Sequence, residues 1–144
     1  TNEIIEKLVD IVSKGGNYLL NIGPGPDGEL DAVAYQRLKE IGSWMKTNGE
    51  AIYNSRMFTV FSEGEKIRFA QSKDAKTRYI FLFDFPEDKI ALTKIPFSKT
   101  DKVQLLGNNK SLTWKQTATG VEITIPAALK SATDHVWVLK VTSN

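Results

Sequence analysis

The hydrophobic period of this sequence changes once, near residue 55, and no other feature constrains its fold as strongly. Before that point apolar residues recur at helical spacing; after it they alternate, with turn signals at short intervals. Helix side chains share a face about every 3.6 residues and strand side chains every second residue, so one element cannot serve both patterns. Two units are therefore expected, 1–55 and 56–144.

In the first unit Ile4, Ile5, Leu8, Val9, Ile11 and Val12 fall on one helical side, with Thr1 or Asn2 as N-cap and Gly15-Gly16 as the stop. Asn17-Tyr-Leu-Leu-Asn-Ile22 is a short apolar run that reads as a strand buried on both faces, as in parallel sheets. Gly23-Pro-Gly-Pro-Asp-Gly28 forces a rigid turn. A second helix carries Ala34, Leu38, Ile41 and Met45 as its apolar stripe, widened by Val33 and Trp44, and Asn48-Gly49 ends it. Helix, buried strand, loop, helix is one α/β unit, and one unit alone leaves sheet edges uncovered. It reads as an α/β remnant, in which Ile4, Ile5, Leu8, Ile11 and Tyr18–Ile22 are expected to lack apolar partners.

The second unit reads as an antiparallel all-β sandwich of about eight strands. Tyr79, Phe81, Phe83 and Phe85 alternate with Ile80, Leu82 and Asp84, and Val121, Ile123 and Ile125 alternate with Glu122 and Thr124. His135, Trp137, Leu139 and Val141 alternate in the last strand. Each of these strands is expected to place one face in a core. Further strands are expected at 58–61, 66–71, 89–93, 102–106 and 112–116, with Thr117-Ala-Thr-Gly120 as a hairpin turn.

Composition narrows the function classes. A chain of 144 residues is too short for a complete large barrel enzyme. Nineteen basic against 17 acidic residues give a net charge of +2 and no strong field for nucleic acid. No apolar run approaches the roughly 20 residues of a membrane span, so no membrane partner is expected. Without cysteine there is no thiolate metal site or cysteine nucleophile. The start at Thr1 rather than Met reads as a terminus made by processing or cleavage, with the true N-terminus upstream.

The ordered string from Gly15-Gly-Asn-Tyr-Leu-Leu-Asn-Ile-Gly-Pro24 through Asp27-Gly28 and Arg37-Leu-Lys-Glu-Ile-Gly-Ser-Trp-Met-Lys46 to Asn48-Gly-Glu-Ala-Ile-Tyr53 closely resembles the α-L-fucosidases of glycoside hydrolase family 29. The resemblance implies the C-terminal portion of such an enzyme: the last strand and helices of a (β/α)8-type barrel, then a C-terminal β-sandwich. It also implies exo-acting hydrolysis of terminal α-L-fucosides with retention, through an Asp nucleophile and a second carboxylate, without a metal or other cofactor. Retention needs those carboxyls about 5–5.5 Å apart. By the same resemblance the nucleophile and the fucose-binding histidines precede this segment. The sole histidine, His135, lies in the sandwich and is not one of them, so no catalytic residue is expected here. The implied partners are the remainder of the barrel and a fucosylated glycan, and the implied location is periplasmic or secreted.

Barrels place their active sites at the C-terminal ends of their strands, which makes Asn21, Gly23, Pro24 and Asp27 candidates for lying near substrate. The plainer reading is that Asp27-Gly28 is a turn stiffened by Pro24 and Pro26. Asp27, Glu29 and Asp31 suggest helix capping rather than a metal site. Trp114 is the candidate for stacking a sugar, against a plainer use as a buried aromatic, and it carries the rival reading of an accessory carbohydrate-binding or protein-interaction module. Trp137 reads as core, and Asp10 and Glu6 as solvated.

Overall fold

The computed structural model describes residues 1–108 and 110–143. Helices α1 (Asn2–Ser13), α2 (Ala32–Asn48) and α3 (Glu50–Tyr53) come first. Among the described residues nine strands follow: β1 (Ser55–Glu63), β2 (Ile67–Ser72), β3 (Thr77–Leu82), β4 (Lys89–Leu92), β5 (Lys102–Leu105), β6 (Ser111–Leu112), β7 (Trp114–Gln116), β8 (Val121–Thr124) and β9 (Trp137–Thr142). One sheet runs β1-β2-β3-β9-β5-β6 and the other β4-β8-β7, with every pairing antiparallel. The expected run at 112–116 is divided: the chain leaves the large sheet after β6 and enters the small one at β7. The hairpin at Thr117–Gly120 forms, closed by Thr117 N donating to Gly120 O at 2.8 Å.

The six-stranded sheet is the middle of three layers. Phe69, Ile80, Leu82, Val103, Leu105, Leu139 and Val141 on one face pack against Leu92, Val121 and Ile123 of the small sheet. On the other face Ala70, Tyr79, Phe81, Phe83, Val136 and Val138 cluster with Ile5 and Val9 of α1, Trp44 of α2 and Ala51 of α3. The expectation that each strand buries one face therefore fails for β3 and β9, which are buried on both. The reason is in their composition: in Tyr79-Ile80-Phe81-Leu82-Phe83 both alternating sets are apolar. Each such side chain contributes about 1.5–3 kcal/mol on burial, so a second covering layer is strongly favoured.

Ile5 and Val9 are fully buried by the sandwich sheet, so α1 is better satisfied than its sequence alone suggests. Polar ties fix the same seam. Trp44 Nε1 donates to Val136 O at 2.8 Å, Arg68 Nε pairs with Asp10 Oδ1 at 2.7 Å, and Lys140 Nζ pairs with Glu50 Oε1 at 2.8 Å. Asp10 is thus a bridging residue rather than a solvated one. Burial alone would raise its carboxyl, but the hydrogen bonds and charges of Lys14 and Arg68 hold it below the ordinary range. Burial, with Glu50 beside it, pushes the Tyr79 hydroxyl up to about 12.

The run Asn17–Ile22 forms no strand in this structure. A strand exists by pairing, and among the described residues nothing pairs with this run. Leu19 is 90% exposed, and Tyr18, Leu20 and Ile22 are half-buried.

Candidate functional site

The candidate site is the segment that joins α1 to α2. Gly15 ends α1 at φ +81°, a left-handed conformation that favours glycine, and Gly16 N donates back to Ile11 O at 2.9 Å. The chain then crosses the flank of α2. Asn21 and Gly23 come together with Ile4, Leu20, Arg37 and Ile41 around a cleft of about 310 Å³. Pro24 and Asp27 do not line it and lie in the exposed turn beyond. The four candidates therefore divide into two inner residues and two outer ones.

The outer turn braces itself. Gly25 N donates to Glu29 O at 2.8 Å, Gly28 N to Gly25 O at 3.0 Å, and Glu29 N to Asp27 Oδ1 at 3.1 Å. Asp31 caps α2, its Oδ1 accepting from Ala34 N at 2.6 Å. Glu29 Oε2 accepts from Tyr35 Oη at 2.8 Å. Each member of the acidic trio thus has a structural task in the turn or at the helix start. The sequence does not mark the Tyr35 bond to Glu29 or the place of Arg37 in the cleft, since both residues sit off the apolar stripe of α2.

Trp114 is half-buried in β7. Its Nε1 donates to Asp101 O at 3.0 Å, and its ring meets Phe97 edge to face, with centroids 4.9 Å apart. The indole edge and N–H are committed to the sandwich rim. Trp137 is core as expected, its Nε1 donating to Lys130 O at 3.1 Å. His135 stands at the entry to β9, far along the chain from Asn21, with its Nδ1 buried and unpartnered among the described residues. None of the described helices is long and apolar enough to cross a membrane.

Two family models match the chain in succession, α-L-fucosidase over residues 1–50 and α-L-fucosidase C-terminal domain over residues 62–142. The chain belongs to the α-L-fucosidase family. Among curated fucosidases it is 40% identical to tissue α-L-fucosidase of Rattus norvegicus and 34% identical to that of Homo sapiens, in each case over 98% of this chain and 31% of the relative. The crystal structure of Thermotoga maritima α-fucosidase in complex with a mechanism-based inhibitor superposes with a TM-score of 0.87 at 28% identity, covering 99% of this chain and 34% of that one. This chain thus spans about a third of the length of the fucosidases it matches and corresponds to their C-terminal portion. The sandwich is the C-terminal domain of the fucosidase family, and α1 with α2 falls within the match to the model that precedes it.

Proposed function

We propose that this chain is the C-terminal third of an exo-α-L-fucosidase that removes terminal fucose from glycans with retention of configuration. The reading is carried by the two family matches in succession along the chain, with a fold that superposes over nearly all of this chain on about a third of a fucosidase. Residues 1–55 close the catalytic barrel, and 56–144 form the sandwich that buttresses it. The chain is structural and does not catalyse alone. Its partners are the rest of the barrel and, in the whole enzyme, a fucosylated glycan, in a periplasmic or secreted location.

Within that enzyme Asn17–Ile22 pairs as a barrel strand, and Asn21, Gly23, Pro24 and Asp27 lie at its C-terminal end beside the substrate. The exposure of Leu19 supports this, because an uncharged run of that kind ordinarily sits between neighbours. The self-bracing of the 25–31 turn supports a preset loop rather than one shaped by ligand.

The test is an aryl α-L-fucoside assay on the full-length protein and on the 144-residue chain, with the product anomer read by NMR. Hydrolysis with retention by the longer protein alone is expected. Hydrolysis by the 144-residue chain, or by neither protein, would overturn the reading, and glycan binding by the inactive chain would turn attention to an accessory module.

A further inference from the structure

A second cleft, of about 520 Å³, opens where α2 meets the loop before β9, and no residue of the 17–31 segment lines it. That volume is within the ~300–1,000 Å³ usual for small-molecule sites. From α2 come Gln36, Glu40, Ser43 and Thr47; from the loop come Asp134 and His135. Its walls are held by bonds that run from helix to sandwich, above all Trp44 Nε1 to Val136 O.

Its hydrogen-bonding capacity is largely unspent. His135 lines the cleft with its ring, while its Nδ1 is shut off from solvent and has no partner among the described residues. The Ser43 and Thr47 hydroxyls and the Asp134 carboxylate lie exposed in the cleft, and no hydrogen bond to another described residue occupies them. Glu40 takes one hydrogen bond on each oxygen, from Gln36 Nε2 at 2.9 Å and from Thr1 Oγ1, which leaves each oxygen able to accept another. Those two bonds hold its carboxyl below the ordinary range, so it is ionised at neutral pH.

The charges select the ligand class. Lys39 opposes a cation, while Glu40 and Asp134 oppose an anion. Among the described residues no three acidic or histidine side chains converge as a metal site would require. What remains is a neutral molecule rich in hydroxyls. A hydroxyl donates and accepts at once, so it satisfies an imidazole nitrogen in either tautomer, a carboxylate oxygen and a rotating Ser or Thr hydroxyl.

We propose that this cleft is a second carbohydrate site, which takes a neutral sugar unit through the His135 imidazole, the Glu40 carboxylate and the Ser43 and Thr47 hydroxyls. It binds without catalysis and lies apart from the 17–31 segment proposed to face the substrate, although its α2 residues belong to the unit proposed to close the barrel.

His135 is the only histidine in the chain, so its imidazole NMR resonances are a single-site probe. The 144-residue chain is titrated with methyl α-L-fucoside and, separately, methyl β-D-galactoside, with glycerol as the control. A saturable shift of the His135 resonances with at least one sugar is expected, with a dissociation constant in the millimolar range usual for so small a polar ligand. Ser43→Trp, which fills the cleft from an exposed position, should weaken it at least about tenfold. Thr47→Val, which deletes one hydroxyl with little change of bulk, should weaken it about three- to tenfold, roughly the worth of one hydrogen bond. Unchanged melting temperatures separate loss of binding from loss of fold. No saturable shift up to about 0.1 M sugar, a shift that glycerol reproduces, or equal binding by both folded variants would overturn the proposal.

Discussion

Removing the Asp101 carboxylate should cost this domain about 3–5 kcal/mol, the usual penalty for stranding the partner of a buried ion pair. Asp101 is buried just before β5 and accepts from Ser98 N at 2.9 Å, from Ser98 Oγ at 2.7 Å and from Arg78 Nη2. Arg78, on β3, also donates to Pro96 O and to Ser143 Oγ and lies over the Phe97 ring at 5.3 Å. Asp101→Ala leaves that guanidinium desolvated, with two neutral acceptors and no counter-charge. At about 3 °C per kcal/mol for a domain of this size, the melting temperature should fall by roughly 9–15 °C.

The pH dependence follows from the same contacts. Burial alone would raise the Asp101 carboxyl, but the hydrogen bonds from Ser98 and Arg78 outweigh it and hold the folded value below 3.8. A group depressed on folding contributes fully above its unfolded value, and its contribution is lost as pH falls through the folded one. Wild type should therefore lose stability below about pH 3.8 more steeply than Asp101→Ala. Urea unfolding at pH 7 and pH 3 measures both terms. A loss under about 1 kcal/mol at pH 7, or the same acid slope in both proteins, would show that the pair is not the buried lock described. Arg78→Met with Asp101→Ala should recover much of the loss, since an apolar replacement leaves no charge stranded.

Phe81, fully buried between the helices and the large sheet, tests whether the two layers fold as one. Phe81→Ala should cost about 3–5 kcal/mol in a single cooperative transition, and separate melting of helix and sheet by far- and near-ultraviolet circular dichroism would contradict a shared core. At Gly120 an added Cβ would lie 1.9 Å from Leu92 O, so Gly120→Ala must push the β7–β8 turn off β4; a loss of about 2 kcal/mol in urea is expected. The uncovered 17–22 run should make the 144-residue chain self-associate, and Leu19→Asp, which puts a charge into that run, should weaken the association at least about tenfold in sedimentation velocity, with unchanged melting temperature. Equal association by both proteins would clear that run of any part in it.

The sequence made the order of elements legible because period and turn chemistry are local. Gly15, Asp31 and the 117–120 hairpin sit where capping and turn rules put them. The third layer was not read from the pattern, although Tyr79-Ile80-Phe81-Leu82-Phe83 signals burial on both faces; what the strand lacked was any mark of which elements would cover it. Residues 17–22 failed in the opposite sense, since an apolar run states a preference for burial but pairing depends on what stands beside it. Of the candidate site, Asn21 and Gly23 came together, whereas the place of Arg37 beside Ile4 and the His135 cleft arise from contacts between remote segments that no local spacing encodes.

The apolar side of α2 is covered only in part, and that bears on how this chain would serve the proposed enzyme. Ile5, Val9 and Trp44 point at the sandwich, while Val33, Tyr35 and Leu38 of α2 and Leu19 ahead of it remain in solvent. Val33, Leu38, Ile41, Trp44 and Met45 lie on one broad apolar side of α2, which the core covers from Ile41 to Met45 and leaves open at Val33 and Leu38, so the open end has room for a second docking partner. The covered end shares its core with β3 and β9 and is complete within this chain. The open end adjoins the unpaired 17–22 run, and strand and helix of one α/β unit bury their apolar surfaces together. On the proposed reading the seam between helices and sandwich is rigid before the barrel closes, and the sandwich serves as a prebuilt wall against which residues 17–22 would be completed as a strand.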